Sequence, residues 1–234
     1  MSMGHESGGH ESTGERAFWP LFDLVVRTPR LEMRLPREDE FASLIALIDE
    51  GIHDPATMPF SNPFTDTPAP RRARESAQFW WRQRAEWSPE KWSYSGGIFI
   101  DGHVVGVQGM MAEHFGVLRS VETGSWLGRA FQGQGLGKEM RQAVLHLAFE
   151  GLGALEAHSG AFHDNAPSLA TSRSVGYADN GETRATRRGG ADRIVKVRMD
   201  RDMWASRRRH DIEIIGLEGC LDMFVGLTPE AGPQ

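Results

Sequence analysis

The N-terminal third of the chain shows two hydrophobic patterns that predict one strand and two helices. Over residues 30–36, apolar residues alternate with charged ones, which is typical of a strand with one buried face. From Phe41 to Ile48, apolar residues recur at helical spacing. Prolines exclude regular structure over 53–70, and a second helix, dense in aromatic residues, is predicted over 71–87.

The middle of the chain predicts an antiparallel meander followed by alternating helices and strands. The pair Asp101–Gly102 separates two apolar runs, which is a strong hairpin signal, and residues 118–128 form a third strand. Helical spacing runs from Leu136 to Glu150, with Glu139 and Arg141 away from the apolar face. The later elements are a strand over 154–162, a helix over 165–177 and a strand over 193–200. This order predicts an α/β fold with one central mixed β-sheet flanked by helices.

Composition and charge exclude several classes of protein. The chain has 234 residues, of which 39% are hydrophobic, enough to fill the core of one domain. A formal net charge of -6 argues against a nucleic-acid partner. The single cysteine, Cys220, allows no intramolecular disulfide, and no apolar run is long enough to span a bilayer. We therefore predict a cytoplasmic protein without a membrane partner.

Three glycines, Gly133, Gly135 and Gly137, lie between the meander and the long helix. The first N–H groups of a helix lack internal partners and favour an anion, and glycine allows a phosphate to approach the backbone closely. A Walker A loop is excluded because Gln132 and Glu139 stand at required positions, and no start in this stretch satisfies a dinucleotide fingerprint. The residues from Gln132 to Gly137 instead satisfy the pattern [QR]-x-x-G-x-[GA].

This glycine loop resembles the coenzyme A pyrophosphate loop of the GCN5-related N-acetyltransferase (GNAT) superfamily. The segment Asn165-Ala166-Pro167-Ser168, followed by Gly176-Tyr177, is similar to a motif of its RimJ/RimL-like branch, which includes acetyltransferases of ribosomal-protein N-termini. "VETGSWLG" and "RTPRLEMRLP" also resemble strands of that branch, and actinobacterial members are the most similar. The resemblance covers about residues 27–200. It implies a GNAT domain over 17–204. The first residues, 1–16, are rich in Gly, Ser, His and Glu and are expected to be a disordered tail, and the resemblance leaves a C-terminal extension at 205–234 unexplained.

The resemblance implies acetyl-CoA or succinyl-CoA as the acyl donor and no metal. We expect backbone groups of the glycine loop to bind the pyrophosphate and those of the preceding strand to pair with the pantetheine arm. The expected CoA-binding residues are Trp126, Leu127, Gln132, Gly133, Gln134, Gly135, Leu136, Gly137, Lys138, Asn165 and Ser168.

The expected reaction is direct attack of a primary amine on the thioester. Glu122, on the strand before the loop, is the candidate general base, and His158 on the next strand is the alternative. Many members of the superfamily place a tyrosine seven residues after the asparagine to serve the leaving thiolate. Here that position is Ser172. The RimJ/RimL-like branch places a serine at the position of Ser168, so the resemblance implies Ser168 as the residue that orients the thiolate.

The acceptor site is expected in the irregular segment and the aromatic-rich helix. Its candidate residues are His53, Asp54, Met58, Phe60, Trp80 and Trp81, although an aromatic stripe at helical spacing also fits a core. Arg82 or Arg84 could receive a dicarboxylic acyl group. The acceptor is either a small molecule or a protein N-terminus or lysine, and the resemblance implies a homodimer. The alternative function is a catalytically weak GNAT-like sensor that binds acyl-CoA.

Overall fold

The computed structural model of the protein describes residues 18–226 and contains one nine-stranded sheet. The tail predicted at 1–16 and the last eight residues of the C-terminal extension lie outside the described residues. The strands follow the order β7-β8-β6-β5-β4-β3-β2-β1-β9. They are β1 (Val25–Arg27), β2 (Glu32–Arg34), β3 (Lys91–Ile100), β4 (His103–Glu113), β5 (Ser120–Leu127), β6 (Glu156–Phe162), β7 (Ala178–Arg187), β8 (Gly190–Asp200) and β9 (Glu213–Ile215).

Seven α-helical segments accompany the sheet over residues 18–226. They are α1 (Phe41–Glu50), α2 (Ala69–Ala85), α3 (Phe115–Leu118), α4 (Leu136–His146), α5 (Ala166–Val175), α6 (Arg201–Ala205) and α7 (Leu221–Val225). A π-helical turn at Leu147–Gly151 continues α4. The mixed sheet with flanking helices confirms the predicted fold class.

The sheet is antiparallel except where β5 and β6 run side by side. Their parallel pairing covers only Ser120–Glu156 to Glu122–His158, after which the two strands separate. We call the point beyond Glu122 and His158 the β5–β6 fork. The loop after β5 leads to α4, and β6 leads to α5, so the fork lies between the N-terminal ends of the two helices that carry the sequence motifs.

The predicted hairpin is confirmed at Asp101–Gly102. Both residues have positive φ, 49° and 77°, which is the backbone of a two-residue turn between twisted strands. The strands β1 and β7 were not predicted. β1 has only three residues, and β7 is exposed along most of its length, so neither the length nor the alternation of these segments indicates a strand.

Buried residues form two clusters. The larger one joins α4 to the inner residues of the sheet, and the C-terminal region contributes Ile212, Cys220 and Phe224 to it. The smaller one packs α1 and α2 against β4 through Phe41, Trp80 and neighbouring residues. The region after residue 205 therefore adds β9 beside β1 and also fills part of the main core.

Candidate active site

The glycine loop has the strand–loop–helix geometry that the sequence predicted. β5 ends at Leu127, a short turn follows at Arg129–Phe131, and α4 begins at Leu136. Gly133 and Gly135 have positive φ, 73° and 79°, and Gly135 is the N-cap of α4. This conformation is open to glycine and strained for other residues, and it exposes the first N–H groups of α4 at the surface.

Two side-chain amides brace this loop. The amide of Gln132 donates hydrogen bonds to Leu127 O (2.8 Å) and Ile52 O (2.9 Å), and Gln134 donates to Ala130 O (2.8 Å). Both amide groups are used in hydrogen bonds that hold the loop. The groups that remain to bind an anion are therefore the backbone N–H groups. Lys138 is exposed and has no acidic partner within the described chain, whereas Leu136 is buried in the core.

Glu139 holds the N-terminal turn of α4 against the segment before β2. Its carboxylate accepts hydrogen bonds from Thr28 Oγ1 (2.6 Å), Arg30 N (3.2 Å) and Arg30 Nε (2.6 Å). Burial disfavours the charged form of Glu139, but these hydrogen bonds and the charge of Arg30 outweigh it and lower its pKa. Arg30 also donates to Gln134 O (3.0 Å) in the loop. The placement of Glu139 away from the buried face was wrong, since it is 4% exposed.

The β5–β6 fork leaves one edge of β5 without a strand partner. Thr123 Oγ1 donates to His158 O (3.2 Å), and Ser159 Oγ donates to Thr123 O (2.9 Å), which closes the end of the paired region. Beyond it, no strand of the described part of the chain pairs with β5 on the β6 side up to Leu127. Trp126 is half-buried against the smaller core cluster. The free edge is the position where the sequence predicted a pantetheine arm.

A cleft of about 720 Å³ opens at the fork. Its walls come from α2, β3, β4, β5, β6 and β8, and it contains Glu122, His158 and Lys196 together. Apolar side chains on the walls include Phe79, Met111 and Leu118, and charged ones include Arg82, Glu86 and Lys91. The cleft is thus a groove of mixed polarity that leads to the end of the paired strands.

The two candidate bases have different hydrogen-bond partners. Glu122 Oε1 accepts a hydrogen bond from Lys196 Nζ (2.8 Å), and its second oxygen has no partner within residues 18–226. His158 Nε2 contacts Glu156 Oε2 (3.1 Å), and the other carboxylate oxygen of Glu156 accepts from Arg198 Nη2 (2.7 Å). Hydrogen bonds from Arg198 and His158 lower the pKa of Glu156. The sequence did not indicate Lys196, because no local pattern joins β8 to β5.

Ser168 lies in the first turn of α5 beside a buried arginine. Asn165 caps this helix, and its Oδ1 accepts a hydrogen bond from Ser168 N (3.3 Å). Arg141 of α4 donates to Ser168 Oγ (2.9 Å) and to Ser172 Oγ. The placement of Arg141 away from the buried face was also wrong, since the residue is only 8% exposed.

The candidate acceptor residues lie outside the set that lines the cleft. Met58 is buried, and His53 bonds to Thr65 Oγ1 (2.7 Å) and packs edge-on against Phe60. Asp54 is exposed.

On α2, Trp80 fills the smaller core cluster and Trp81 donates to Glu38 (3.1 Å). Their neighbour Arg82 lines the cleft, whereas Arg84 donates to Pro36 O (2.5 Å) at the other side of the helix.

The chain is similar to known proteins in both sequence and fold. Residues 30–178 match the family model of the acetyltransferase (GNAT) domain. Solved structures with the same fold include a putative ribosomal-protein-serine acetyltransferase from Vibrio cholerae. It is 22% identical, with a TM-score of 0.59, and the match covers 75% of this chain and 97% of that one.

Two further structures belong to the branch that the sequence motifs indicated. Mycobacterium smegmatis RimJ in complex with CoA-disulfide is 21% identical, with a TM-score of 0.63, over 78% of this chain and 90% of that one. RimL, a ribosomal L7/L12 alpha-N-protein acetyltransferase in complex with coenzyme A, is 18% identical, with a TM-score of 0.61, over 76% and 99%.

The match over most of the chain defines the class: the protein belongs to the GNAT family of acetyltransferases. It is an acyl-CoA-dependent N-acyltransferase, which moves an acyl group from the thioester of coenzyme A to an amine. None of the helices between residues 18 and 226 has the length and apolar character needed to cross a membrane. Over the same residues, no group of three or more His, Cys, Asp or Glu side chains is placed to hold a metal ion.

Proposed function

We propose that the protein transfers an acetyl group from acetyl-CoA to the primary amine at the N-terminus of a polypeptide, with Glu122 as the general base. The observation that carries this proposal is the course of the cleft. It is open to solvent, large enough for several residues of an extended chain, and it reaches Glu122 at the β5–β6 fork. A thioester held along the free edge of β5 would meet an amine arriving through this cleft.

The donor would be held by backbone groups in two places. The N–H groups of the glycine loop and the first turn of α4 would bind the pyrophosphate, with the exposed Lys138 adding positive charge. The free edge of β5 from Gly124 to Leu127 would pair with the pantetheine arm. One of its N–H groups would also stabilise the oxyanion that forms on the thioester carbonyl. The related RimL and RimJ structures hold coenzyme A, which supports this assignment.

Glu122 is suited to remove the amine proton. A polypeptide N-terminus is largely protonated at neutral pH and must lose a proton before it can attack. Glu122 has one carboxylate oxygen held by Lys196 and one without a partner in the described part of the chain, so the free oxygen can accept that proton directly or through water. His158 is engaged by Glu156 and is the weaker candidate.

The walls of the cleft favour a polypeptide over a small metabolite. Small-molecule sites are usually enclosed and mainly apolar, whereas this groove is open and lined by mixed apolar and charged side chains. RimL is described as acting on the α-amine of ribosomal L7/L12, which is a polypeptide acceptor of the same kind. The segment with His53 to Phe60 would contact acceptor residues further from the amine.

Succinyl-CoA is the alternative donor that one residue favours. Arg82 lines the cleft and has no acidic partner within residues 18–226, so it could pair with the free carboxylate of a succinyl group. Arg84 is excluded from this role because its guanidinium contacts Pro36 O and Glu38. The homodimer and the cytoplasmic location remain predictions.

The test combines calorimetry with a turnover assay. Acetyl-CoA, succinyl-CoA and free coenzyme A would be titrated into the protein, and release of the thiol would be followed with peptides of differing N-terminal residue. We expect acetyl-CoA to be consumed only with a free peptide N-terminus, and not with the same peptide blocked by acetylation. Preferential use of succinyl-CoA, lost in Arg82→Ala, would establish the alternative donor. Coenzyme A binding without turnover of any peptide or small amine would favour the sensor function.

Variants at the fork test the base. Glu122→Gln should lower kcat about 100-fold, the lower range for loss of a general base, while the affinity for acetyl-CoA stays within about twofold. His158→Gln is the matched control on the adjacent strand and should change kcat far less. The opposite ranking of these two variants would transfer the role to His158.

A further inference from the structure

Arg141 is a buried cation without an acidic partner. Only 8% of it is exposed, and no carboxylate of the described chain lies within ion-pair distance of its guanidinium. Burial lowers the pKa of Arg141, although an arginine keeps its charge at neutral pH even so. Burying an unpaired charge is costly, and a neutral donor would suffice to brace two serines. The retained charge therefore suggests that an anion forms nearby during function.

The hydrogen bonds of the two serines differ in one respect. Ser172 Oγ accepts from Arg141 and donates its own proton to Ser168 O (3.2 Å). Ser168 Oγ also accepts from Arg141 (2.9 Å), but its proton has no acceptor within residues 18–226. A hydroxyl group has one proton and two lone pairs, so the bond from Arg141 leaves the proton of Ser168 free for another partner.

The surroundings of Arg141 connect it to the fork. Tyr177 lies close enough to interact electrostatically with Arg141 and is itself buried. Its hydroxyl is within hydrogen-bond distance of Thr123 Oγ1 (2.9 Å), and Thr123 is the first residue of β5 beyond the paired region. The guanidinium of Arg141 and Ser168 therefore lie beside the β5–β6 fork, on the side covered by α4 and α5. The proposed donor site puts the thioester end of coenzyme A at the same fork.

We infer that Arg141 is a positioning residue for the leaving group: it holds Ser168 with the hydroxyl proton directed at the sulfur and lends positive charge to the thiolate through that hydroxyl. In this step the amine nitrogen forms a bond to the thioester carbonyl carbon, and the carbon–sulfur bond breaks with its electron pair left on sulfur. As the amide forms, the nitrogen loses its second proton to Glu122, which has by then passed the first proton of the ammonium group to solvent. Ser168 donates a hydrogen bond to the thiolate, which takes its proton from solvent after release.

This arrangement takes the place of a single acidic side chain. A serine hydroxyl is a weak acid, but a hydrogen bond accepted from a cation polarises it and strengthens its donation to an anion. The contribution exists only once negative charge develops on sulfur, so it lowers the barrier and leaves ground-state binding of acetyl-CoA nearly unchanged. The inference rests on the proposed acetyl transfer, because only that reaction brings the sulfur to Ser168.

Single-turnover kinetics with acetyl-CoA and a peptide acceptor tests the inference. We expect Arg141→Met and Ser168→Ala each to slow acyl transfer about 10- to 100-fold, with acetyl-CoA affinity within about threefold of wild type. The double variant should be no slower than the slower single variant, since both remove one interaction. Arg141→Lys should recover part of the rate. Ser172→Ala is the matched control and should transfer acyl at nearly the wild-type rate.

Several outcomes would overturn the role of Arg141. They are an unchanged rate in Ser168→Ala, rate losses that multiply in the double variant, or a loss in Ser172→Ala as large as that in Ser168→Ala. If Arg141→Met does not fold, Ser168→Ala and Arg141→Lys still decide the question, because Arg141→Lys keeps a cation and should exceed Ser168→Ala in rate. Absence of transfer by the wild-type protein would instead contradict the proposed function.

Discussion

At the scale of single residues, α4 carries two buried charged side chains, of which one has an oppositely charged partner and the other has none among residues 18–226. Glu139 and Arg141 are two positions apart, and both are almost inaccessible to solvent. Glu139 is paired with Arg30 and Thr28, so its charge stabilises the junction of the loop with β2. Within residues 18–226, the guanidinium of Arg141 makes hydrogen bonds only to serine hydroxyl and carbonyl oxygens. A paired charge suits a structural role, and an unpaired one suits a site where charge appears during a reaction.

The buried carboxylate should make stability depend on acidity. Because the pKa of Glu139 is lowered in the folded protein from its ordinary value of 4.5, its contribution is complete above pH 4.5 and is lost as pH falls through the lower folded value. We expect Glu139→Gln to reduce the free energy of unfolding by about 1.5–3 kcal/mol at neutral pH, as for hydrogen bonds to a charged group. The deficit should shrink as pH falls below 4.5, because Glu139 of the wild type is then protonated in the unfolded state and progressively in the folded state.

Urea unfolding of wild type and variant across this pH range measures the effect. Glu113→Gln is the control, since Glu113 also has a pKa lowered by its lysine partner, Lys91, but both side chains are well exposed. Exposed ion pairs contribute little, so this variant should follow the wild-type curve. A deficit for Glu139→Gln that stayed constant as pH fell below 4.5 would contradict the linkage.

At the scale of elements, Gly135 in the glycine loop has two proposed roles: it adopts a backbone conformation with positive φ, and it helps to bind coenzyme A. A glycine with the same φ outside the loop allows the two roles to be tested separately. Gly135 and Gly102 have nearly equal positive φ, 79° and 77°, but Gly102 lies at the tip of the β3–β4 hairpin, far along the chain from the loop. An alanine at either position would pay the cost of the left-handed conformation, about 1–2 kcal/mol. Only the change at Gly135 would alter the start of α4.

We therefore expect Gly135→Ala and Gly102→Ala to lower the free energy of unfolding by similar amounts. Gly135→Ala should also weaken coenzyme A binding about tenfold, which is equivalent to losing one hydrogen bond to a charged phosphate. Calorimetric titration of both variants with coenzyme A measures the difference. Equal affinity of the two variants would mean that the conformation at Gly135 serves folding alone.

The β7–β8 hairpin is tied to the segment between α1 and α2 by one arginine. Arg188, at the hairpin tip, makes two hydrogen bonds to the carboxylate of Asp66, both 2.8 Å, and donates to Pro55 O (3.0 Å). The pair lowers the pKa of Asp66, with the hydrogen bond from Arg188 as the main cause. We call this contact the Arg188–Asp66 bridge. It joins the hairpin beyond β6 to the segment that contains His53 and Phe60.

Loss of the bridge should loosen these two segments without unfolding the protein. Both side chains are partly exposed, so Arg188→Ala should leave the melting temperature nearly unchanged. Hydrogen exchange should rise severalfold in residues 53–66 and 185–190. In the wild type, local opening of either segment must break the bridge, and in the variant this cost is absent. Arg173→Ala, which removes the exposed Arg173–Asp179 pair beside the start of the same hairpin, should not change exchange over 53–66. Unaltered exchange in Arg188→Ala would show that other contacts hold the two segments together.

At the scale of the whole molecule, the sequence predicted the elements that have a long apolar pattern or a strong turn. The β3–β4 hairpin, α1, α2, α4 and α5 are present, as is the strand–loop–helix order around the glycines. The strands β1 and β7 could not be predicted, because each is held by pairing with a neighbour and not by its own alternation. The same holds for the site: Lys196 and Arg141 become relevant only through partners distant in sequence.

The C-terminal region shows how such distant contacts support the cleft. The indole N–H of Trp92 donates to Phe224 O (3.0 Å), and the ring of Phe224 packs edge-on against Trp92 at 5.0 Å. Trp87 similarly donates to Met223 O (2.9 Å). Trp92 also lines the cleft. Residues after 205 therefore support one lining residue of the cleft, Trp92, as well as filling part of the core.

We expect shortening of the chain to have a sharp threshold. A chain ending at Gly226 should melt within a few degrees of the full-length protein, because it retains β9 and the core residues Ile212, Cys220 and Phe224. A chain ending at Ala205 should fail to fold, since it loses β9 and the core residues Ile212, Cys220 and Phe224. Phe224→Ala should reduce the free energy of unfolding by about 3–5 kcal/mol, as for other buried phenylalanines.

Leu221→Ala is the matched control on the same helix, because Leu221 is 37% exposed and should affect stability little. Since Phe224 packs behind Trp92, Phe224→Ala should also raise KM for the peptide acceptor while coenzyme A affinity is retained, at a temperature where the variant is folded. Calorimetry and initial rates measure both quantities. A chain ending at Ala205 that folded and kept full activity would mean that residues 17–204 form a self-sufficient domain and that the C-terminal packing is dispensable.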